Sequence, residues 1–213
     1  MKSTLFNMVV VLFSVTLIAS AGVGAVNMIT ADAIAEANAA ATTQAIQNVL
    51  PEFEKTEMSE QTIDDMPIIV YTATKGTDTV GYAVESMTKN GFGGVIRLMV
   101  GFSGDGKILN VNVLQQAETP GLGTKMADES NVLLSSIQNK NSWEVEFKVK
   151  KDGGELDALT AATISSRAYY EAVARAYEAY KVACGYQDSA DGVSGATATA
   201  TESSNAQEGG QNE

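Results

Sequence analysis

The sequence predicts an α+β fold, in which a twisted, mostly antiparallel sheet carries packed helices and follows one N-terminal transmembrane helix. Three observations lead to this class: an uncharged apolar run near the N-terminus, several segments of alternating apolar residues, and a final segment with apolar residues at every fourth position. Alternation is typical of strands, whereas a repeat of three to four residues is typical of helices. Short turn sequences separate the alternating segments, which favours hairpins over parallel crossovers.

The first element is predicted from residues 3–31, which contain no charge and are mostly apolar over 5–28. A helix needs about 20 such residues to cross the hydrocarbon core of a bilayer. Lys2 precedes the run, so the positive-inside rule places the N-terminus in the cytoplasm and the remainder of the chain outside. A cleaved signal peptide is the alternative, because Ala19-Ser20-Ala21 resembles a cleavage site, and it also leads to the extracytoplasmic side.

The following elements are predicted from the spacing of apolar residues and from the turn residues between them. An alanine-rich, membrane-proximal helix is expected to end at Pro51. Strands are then expected over 68–74, 79–87, 95–103 and 108–114, with Gly-Asp-Gly-Lys marking the last turn between them. A short helix is expected within 128–139, followed by a strand over 143–150 with one solvated face and with Trp143 in the core.

The last ordered element is a helix that begins after Thr163, where Ser165 or Ser166 is expected to cap it and Gly185 to end it. Four tyrosines of this helix are expected to pack it onto the sheet: Tyr169, Tyr170, Tyr177 and Tyr180.

The net charge of −12 is spread unevenly over the 213 residues and suggests the domain boundaries. We expect an anchor at 1–31, an acidic membrane-proximal helix and linker at 32–65, a nearly neutral main domain at 66–184, and an acidic disordered tail at 185–213. The negative balance argues against a nucleic-acid partner, because such binding depends on Lys and Arg neutralising phosphates.

The sequence contains no histidine and one cysteine, Cys184. These counts exclude a Ser-His-Asp or Cys-His catalytic group, an imidazole-bound haem and a histidine metal site within this sequence. They also exclude an intrachain disulfide, a CxxC redox pair and a thiolate-held iron–sulfur cluster. If the protein transfers electrons, an organic cofactor is needed to carry them.

Two segments hold the residues most suited to chemistry. Residues 118–125 read Glu-Thr-Pro-Gly-Leu-Gly-Thr-Lys, and their glycines allow a flat or anionic ligand to approach the backbone. Residues 157–167 read Asp-Ala-Leu-Thr-Ala-Ala-Thr-Ile-Ser-Ser-Arg and open onto a helix, whose N-terminus suits a phosphate. From the residues alone, a tight turn and a simple helix cap remain open as alternatives.

Together these segments resemble the FMN-binding domain family over about residues 80–182. Asp-x-x-Thr-x-Ala-Thr from Asp157 is similar to the family's flavinylation motif, and Glu-Thr-Pro-Gly-Leu-Gly from Glu118 is similar to its upstream pattern. The resemblance implies that FMN is joined covalently, through its phosphate, to the hydroxyl of Thr163 by a separate flavin transferase that uses FAD and Mg²⁺. A threonine hydroxyl is a weak nucleophile that no histidine of this sequence can activate, so an external enzyme is chemically reasonable.

The resemblance also implies roles for the surrounding residues. Asp157 would dock the transferase or orient the small-residue elbow that precedes Thr163, Thr160 would hydrogen-bond near the phosphate, and Lys125 would offset the phosphate charge. The small side chain of Ala162 leaves room for a bulky group beside the Thr163 hydroxyl. The isoalloxazine ring would be bordered by residues of the first segment, namely Glu118, Thr119, Leu122, Gly123 and Thr124.

One departure from the family pattern concerns Ala161, because the family usually has glycine at this position. A second copy of the motif at 191–197, Asp-Gly-Val-Ser-Gly-Ala-Thr, does contain the glycine. Thr197 is therefore an alternative or additional flavin site, although it lies in the acidic tail.

For the whole protein, the resemblance implies a single-pass subunit of the bacterial inner membrane whose flavin domain lies on the periplasmic side. It would transfer electrons alongside the other subunits of an Rnf-type complex, which couples electron transfer from ferredoxin to NAD⁺ to the movement of Na⁺ or H⁺. No independent catalysis is expected. Two alternatives remain: the corresponding subunit of a sodium-translocating NADH:quinone reductase, and a non-redox anchored scaffold.

Overall fold

The computed structural model describes residues 5–185 of the chain. Its first element, α1 (Leu5–Val49), is one continuous 45-residue helix that spans both the expected anchor and the expected membrane-proximal helix. Within residues 5–185, it is the one helix long and apolar enough to cross a membrane. The second motif at 191–197, with Thr197, lies outside the described residues.

A five-stranded antiparallel sheet follows α1, in the order β1-β2-β3-β4-β5. Its strands are β1 (Lys55–Ile63), β2 (Met66–Lys75), β3 (Asp78–Thr88), β4 (Ile96–Ser103) and β5 (Ile108–Gln115). The antiparallel sheet with packed helices confirms the predicted α+β class, and the four expected strands lie within two residues of their predicted bounds. Strand β1 lies within 32–65, where a linker was expected, because its edge position leaves most of its side chains exposed and its sequence lacks an apolar alternation.

The sheet lies between two helical layers. Two further helices, α2 (Val132–Ile137) and α3 (Thr163–Ala183), lie on one face with the main core. The last turns of α1 cover the other face, where Ile46 and Val49 pack near Met99. A Cβ atom at Gly101 would lie 2.0 Å from the Val49 carbonyl oxygen, so glycine allows α1 to approach β4 this closely.

Helix α3 carries the expected tyrosines into the core: Tyr169, Tyr170, Tyr177 and Tyr180 are all buried. The Tyr180 ring stacks on Phe102 of β4 with the ring centroids 4.9 Å apart. Gly185 ends the helix as expected, with φ +72° and its N–H donating to the Val182 carbonyl. The predicted serine cap is wrong, because Ala162 is the N-cap residue and the buried Ser166 hydroxyl instead donates to the Ala162 carbonyl.

The predicted strand over 143–150 is also wrong. The chain after α2 bonds to the start of β5, where Ile108 N donates to Lys140 O and Asn139 N donates to Ile108 O. Residues 148–150 instead pair with the chain near Leu156, and short 3₁₀ helices form at Ser142–Glu144 and Lys150–Asp152. Trp143 is 49% exposed rather than in the core, and its ring lies against Gly106.

Candidate functional site

The segment before α3 forms a tight elbow that presents Thr163. Ala162 N donates to Leu159 O at 3.1 Å, and Ala161 between them has φ +61°. This left-handed conformation costs a residue with a Cβ atom about 1–2 kcal/mol. The position is the one at which the resembled motif has glycine, so the structure explains why glycine suits it. Thr163 is the first residue of α3 and is half-buried.

Tyr170 fixes the start of the elbow to α3. Its hydroxyl donates to the backbone carbonyl oxygen of Asp157 at 2.9 Å. Burial raises the pKa of Tyr170 to about 12, so the phenol stays protonated and can donate this bond at neutral pH.

A cleft of about 380 Å³ opens in front of the elbow, a volume within the range of small-molecule sites. Four chain segments supply its walls: the glycine-rich loop before β4, the segment after β5, the 3₁₀ helix Lys150–Asp152, and the elbow with the start of α3. Its lining residues are Phe92, Thr119, Leu122, Gly123, Lys151, Ala161, Ala162, Thr163, Ile164 and Ser165.

One end of the cleft is polar and positively charged. The Lys151 Nζ atom donates a hydrogen bond to Thr163 Oγ1 at 3.1 Å. The N-cap residue Ala162 offers no side-chain acceptor, so it leaves the free amides at the start of the 21-residue helix α3 without a side-chain cap. Free amides at a helix N-terminus and a nearby ammonium both favour an anion such as a phosphate.

The lip of the same cleft is apolar. Phe92 is 67% exposed, Ile164 49% and Leu122 39%, and each comes from a different segment. Apolar side chains gathered at one opening favour the binding of a flat apolar group, because that group removes their surface from water. The cleft therefore has the two ends that a ligand with a phosphate and an aromatic ring requires.

Glu118 lies beneath the cleft and joins three of its four wall segments. It is 4% exposed, its Oε2 atom accepts from Ser165 Oγ at 2.5 Å, and its Oε1 atom accepts from Gly93 N at 3.0 Å. A Cβ atom at Gly123 would lie 2.7 Å from Glu118 Cβ and 2.8 Å from Ser165 Oγ. The glycine thus allows the segment after β5 to turn back on Glu118 and to pack directly on α3.

Two ion pairs hold the 3₁₀ helix Lys150–Asp152 against the elbow and α3. Lys150 Nζ lies 2.6 Å from Asp157 Oδ1, and Arg167 donates to both carboxylate oxygens of Asp152 at 2.7 and 2.6 Å. The hydrogen bond from Lys150 lowers the pKa of Asp157, and that from Arg167 lowers the pKa of Asp152.

The structure brings half of the sequence-predicted site residues to the cleft wall, namely Ala162, Thr163, Thr119, Leu122 and Gly123. The others lie around it. Glu118 is beneath the cleft, Thr124 Oγ1 accepts from Gly121 N at 2.9 Å within the turn, and Asp157 is paired with Lys150. Thr160 and Lys125 are exposed and do not line the cleft.

Sequence reasoning did not select several residues of the cleft as site residues: Phe92, Lys151, Ala161, Ile164 and Ser165. Phe92 carries a usable signal, because it lies in a glycine-rich loop and binding residues are often found on such surface loops. Lys151 carries none, since it lies in a lysine-rich segment whose pattern favours a strand. Within residues 5–185, no group of three or more Asp, Glu, Cys or His could hold a metal ion.

Comparison with known proteins assigns the family. The model of the FMN-binding domain matches residues 91–178, which include the glycine-rich loop, the 118–125 segment and the elbow. The G subunit of the ion-translocating oxidoreductase complex from Shewanella amazonensis is 34% identical over 188 residues, which cover 82% of this chain and 87% of that protein.

G subunits of the same complex from two further organisms are similar over about half of each chain. The one from Shewanella loihica is 40% identical over 116 residues, covering 52% of this chain and 54% of that one. The one from Vibrio vulnificus is 36% identical over 121 residues, covering 54% and 56%. Because the likeness to the Shewanella amazonensis protein extends over most of both chains, this chain belongs to the family of G subunits of ion-translocating oxidoreductase complexes and carries an FMN-binding domain.

Proposed function

We propose that this protein is a membrane-anchored electron-transfer subunit that carries FMN covalently, through a phosphoester to Thr163 Oγ1. The supporting observation is the position of the Thr163 hydroxyl, which lines the cleft of the FMN-binding domain and accepts a hydrogen bond from Lys151 at 3.1 Å. When bound, FMN supplies the redox chemistry, and the protein supplies attachment, position and electrostatics.

The residues present fit this cofactor at both ends. The lysine and the start of α3 suit the phosphate, whereas Phe92, Leu122 and Ile164 suit the isoalloxazine ring. Gly123 allows this part of the cleft wall to pack against Ser165, because a side chain at this position would collide with Glu118. We propose Ala162 and Thr119 as further wall residues, and Glu118, Thr124 and Asp157 as residues that hold the walls in place.

Attachment is proposed to require a separate flavin transferase with FAD and Mg²⁺. In that reaction Thr163 Oγ1 forms a bond to the phosphorus of the FMN half of FAD, the pyrophosphate P–O bond breaks, and AMP leaves. The hydroxyl proton passes to a base of the transferase. This division of labour agrees with the cleft, whose side chains include a cation beside Thr163 and no carboxylate or imidazole.

We further propose that the partners of this protein are the other subunits of an Rnf-type complex. That complex would transfer electrons from ferredoxin to NAD⁺ and would couple this transfer to the movement of Na⁺ or H⁺. Helix α1 would cross the bacterial inner membrane, with the flavin domain on the periplasmic side. Between residue 28 and the docked residue Ala45, α1 is exposed and would extend about 25 Å at 1.5 Å per residue. This stalk would hold the flavin at a set height above the membrane.

Peptide mapping tests the attachment site. The full chain is expressed in a host that has the transferase, digested with trypsin and analysed by mass spectrometry. Cleavage after Lys151 and Arg167 isolates Thr163, while Thr197 falls on a later peptide. We expect FMN on the Thr163 peptide and none after Thr163→Ala. An unmodified Thr163 peptide in a flavin-containing chain would contradict the site, and a chain without flavin would favour the scaffold alternative.

A further inference from the structure

We infer that Lys151 is the positioning residue for flavin attachment, which orients the Thr163 hydroxyl for transfer and then binds the phosphate joined to it. This inference rests on the proposed function, since it assumes that Thr163 is the attachment site. It assigns to Lys151 the charge-balancing role that the sequence suggested for Lys125.

Lys151 is the central residue of the short 3₁₀ helix Lys150–Asp152. Successive residues of a 3₁₀ helix point about 120° apart, so three neighbours can contact three different partners. Lys150 pairs with Asp157 before the elbow, Lys151 bonds to Thr163 at its end, and Asp152 pairs with Arg167 one turn into α3. The two outer pairs therefore fix the backbone from which Lys151 reaches the hydroxyl.

The charges of this helix leave Lys151 free for an anion. The charges of Lys150 and Asp152 are already compensated by their ion-pair partners. Lys151 has no carboxylate within ion-pair distance among residues 5–185, and its recorded partner is the neutral Thr163 hydroxyl. Among the residues that line the cleft, it is the one that carries a positive charge.

The direction of the hydrogen bond defines what Lys151 can do. Its ammonium donates to Oγ1, so it acts as a donor and not as the base that removes the hydroxyl proton. It stabilises negative charge as Oγ1 attacks phosphorus, and it leaves the proton to the base of the transferase. A cation within reach of Oγ1 is also within reach of the oxygens of a phosphate bonded to that atom. One side chain thus serves both steps.

Lysine variants of the full chain test this inference through the rate of FMN incorporation, measured by intact mass with purified transferase, FAD and Mg²⁺. Lys151→Met removes a charge-assisted hydrogen bond to the reacting hydroxyl. We therefore expect this variant to incorporate FMN about tenfold more slowly, or slower still. Lys151→Arg keeps the charge and is expected to stay within about threefold of wild type. Lys148→Met, an exposed neighbour outside the cleft, serves as the matched control.

The outcomes separate the two proposals. Slow FMN incorporation in Lys151→Met, together with incorporation close to the wild-type rate in Lys151→Arg, supports the inference. Equal slowing of both variants, or of neither, overturns it, as does slowing by Lys125→Met alone. If wild type itself gains no FMN on Thr163, the proposed function fails instead. The melting temperature of each variant without flavin shows whether its fold is intact.

Discussion

The carboxylate of Glu118 accepts a hydrogen bond from the hydroxyl of Ser165 at 2.5 Å, although 47 positions separate the two residues in the sequence. The same carboxylate accepts from Gly93 N, so it joins the loop before β4, the segment after β5 and the start of α3. These three segments form most of the cleft wall, to which the 3₁₀ helix Lys150–Asp152 adds Lys151. A buried side chain that touches no ligand in our proposal therefore determines the relative position of those that do.

Removing this carboxylate tests its role. Glu118→Ala leaves the buried Ser165 hydroxyl without its acceptor, which typically costs about 1–3 kcal/mol, and also removes the acceptor of the amide of the exposed residue Gly93. We expect the free energy of unfolding of the full chain to fall by about 3 kcal/mol, measured in urea by the fluorescence of the single tryptophan. Glu118→Gln keeps one acceptor oxygen and should lose less. Equal losses would contradict the hydrogen-bond explanation.

The left-handed conformation of Ala161 predicts a stabilising substitution. Ala161→Gly removes the Cβ atom that is strained at φ +61° but increases the backbone entropy lost on folding, so we expect a net gain of about 0.5 kcal/mol. The same change at Ala174 within α3 should destabilise by about 1 kcal/mol, because glycine is unfavourable inside a helix. Chemical denaturation of both variants gives the comparison. A loss of stability in Ala161→Gly would contradict the assigned strain.

The contact between Gly101 and α1 predicts how the domain is attached to its anchor. In Gly101→Ala the new Cβ atom would meet the Val49 carbonyl oxygen at 2.0 Å, and backbone cannot move aside as a flexible side chain can. We expect α1 to separate from β4 and the connection between Val49 and Lys55 to become at least about fivefold more sensitive to protease. Gly104→Ala has open space around it and should cleave like wild type. Equal cleavage of both variants would show that α1 is not held here.

The ion pairs of Asp152 and Asp157 predict a dependence of stability on acid pH. The pKa values of both carboxyls lie below their ordinary value of 3.8, so the folded state binds their protons less readily than the unfolded state. Their contribution is therefore complete above about pH 5 and is lost as the pH falls through the lowered pKa values. Asp152→Asn should flatten the fall in melting temperature between pH 5 and 3.

Glu155→Gln is the control for this pH profile. Glu155 is an exposed carboxyl for which the described residues provide no ion pair. Its variant should keep the slope of wild type over the same pH range. If the dependence of melting temperature on pH weakens equally in both variants, general surface charge, rather than the pair between Asp152 and Arg167, produces that dependence.

Much of the fold follows from local sequence pattern. Strands β2 to β5 alternate between a core face and a second face, and that alternation is visible without any knowledge of their neighbours. The strand expected at 143–150 has the same alternation, yet it does not join the sheet, and residues 148–150 bond instead to the chain near Leu156. Conversely, β1 lacks the pattern and is a strand because β2 offers an edge. The alternation of apolar residues shows which face of a segment can be buried. Whether the segment becomes a strand depends on whether a neighbouring strand pairs with it.

The sequence by itself determined the apolar helix, strands β2 to β5 and the elbow that ends in Thr163, because each depends on residues close together in the chain. Only the tertiary structure decided that Lys151 rather than Lys125 lies beside Thr163, and that Phe92 and Ile164 share one cleft. It also showed Glu118 beneath the cleft. These relationships depend on packing between distant segments, and a local pattern of apolar and polar residues does not specify which side chains will meet there.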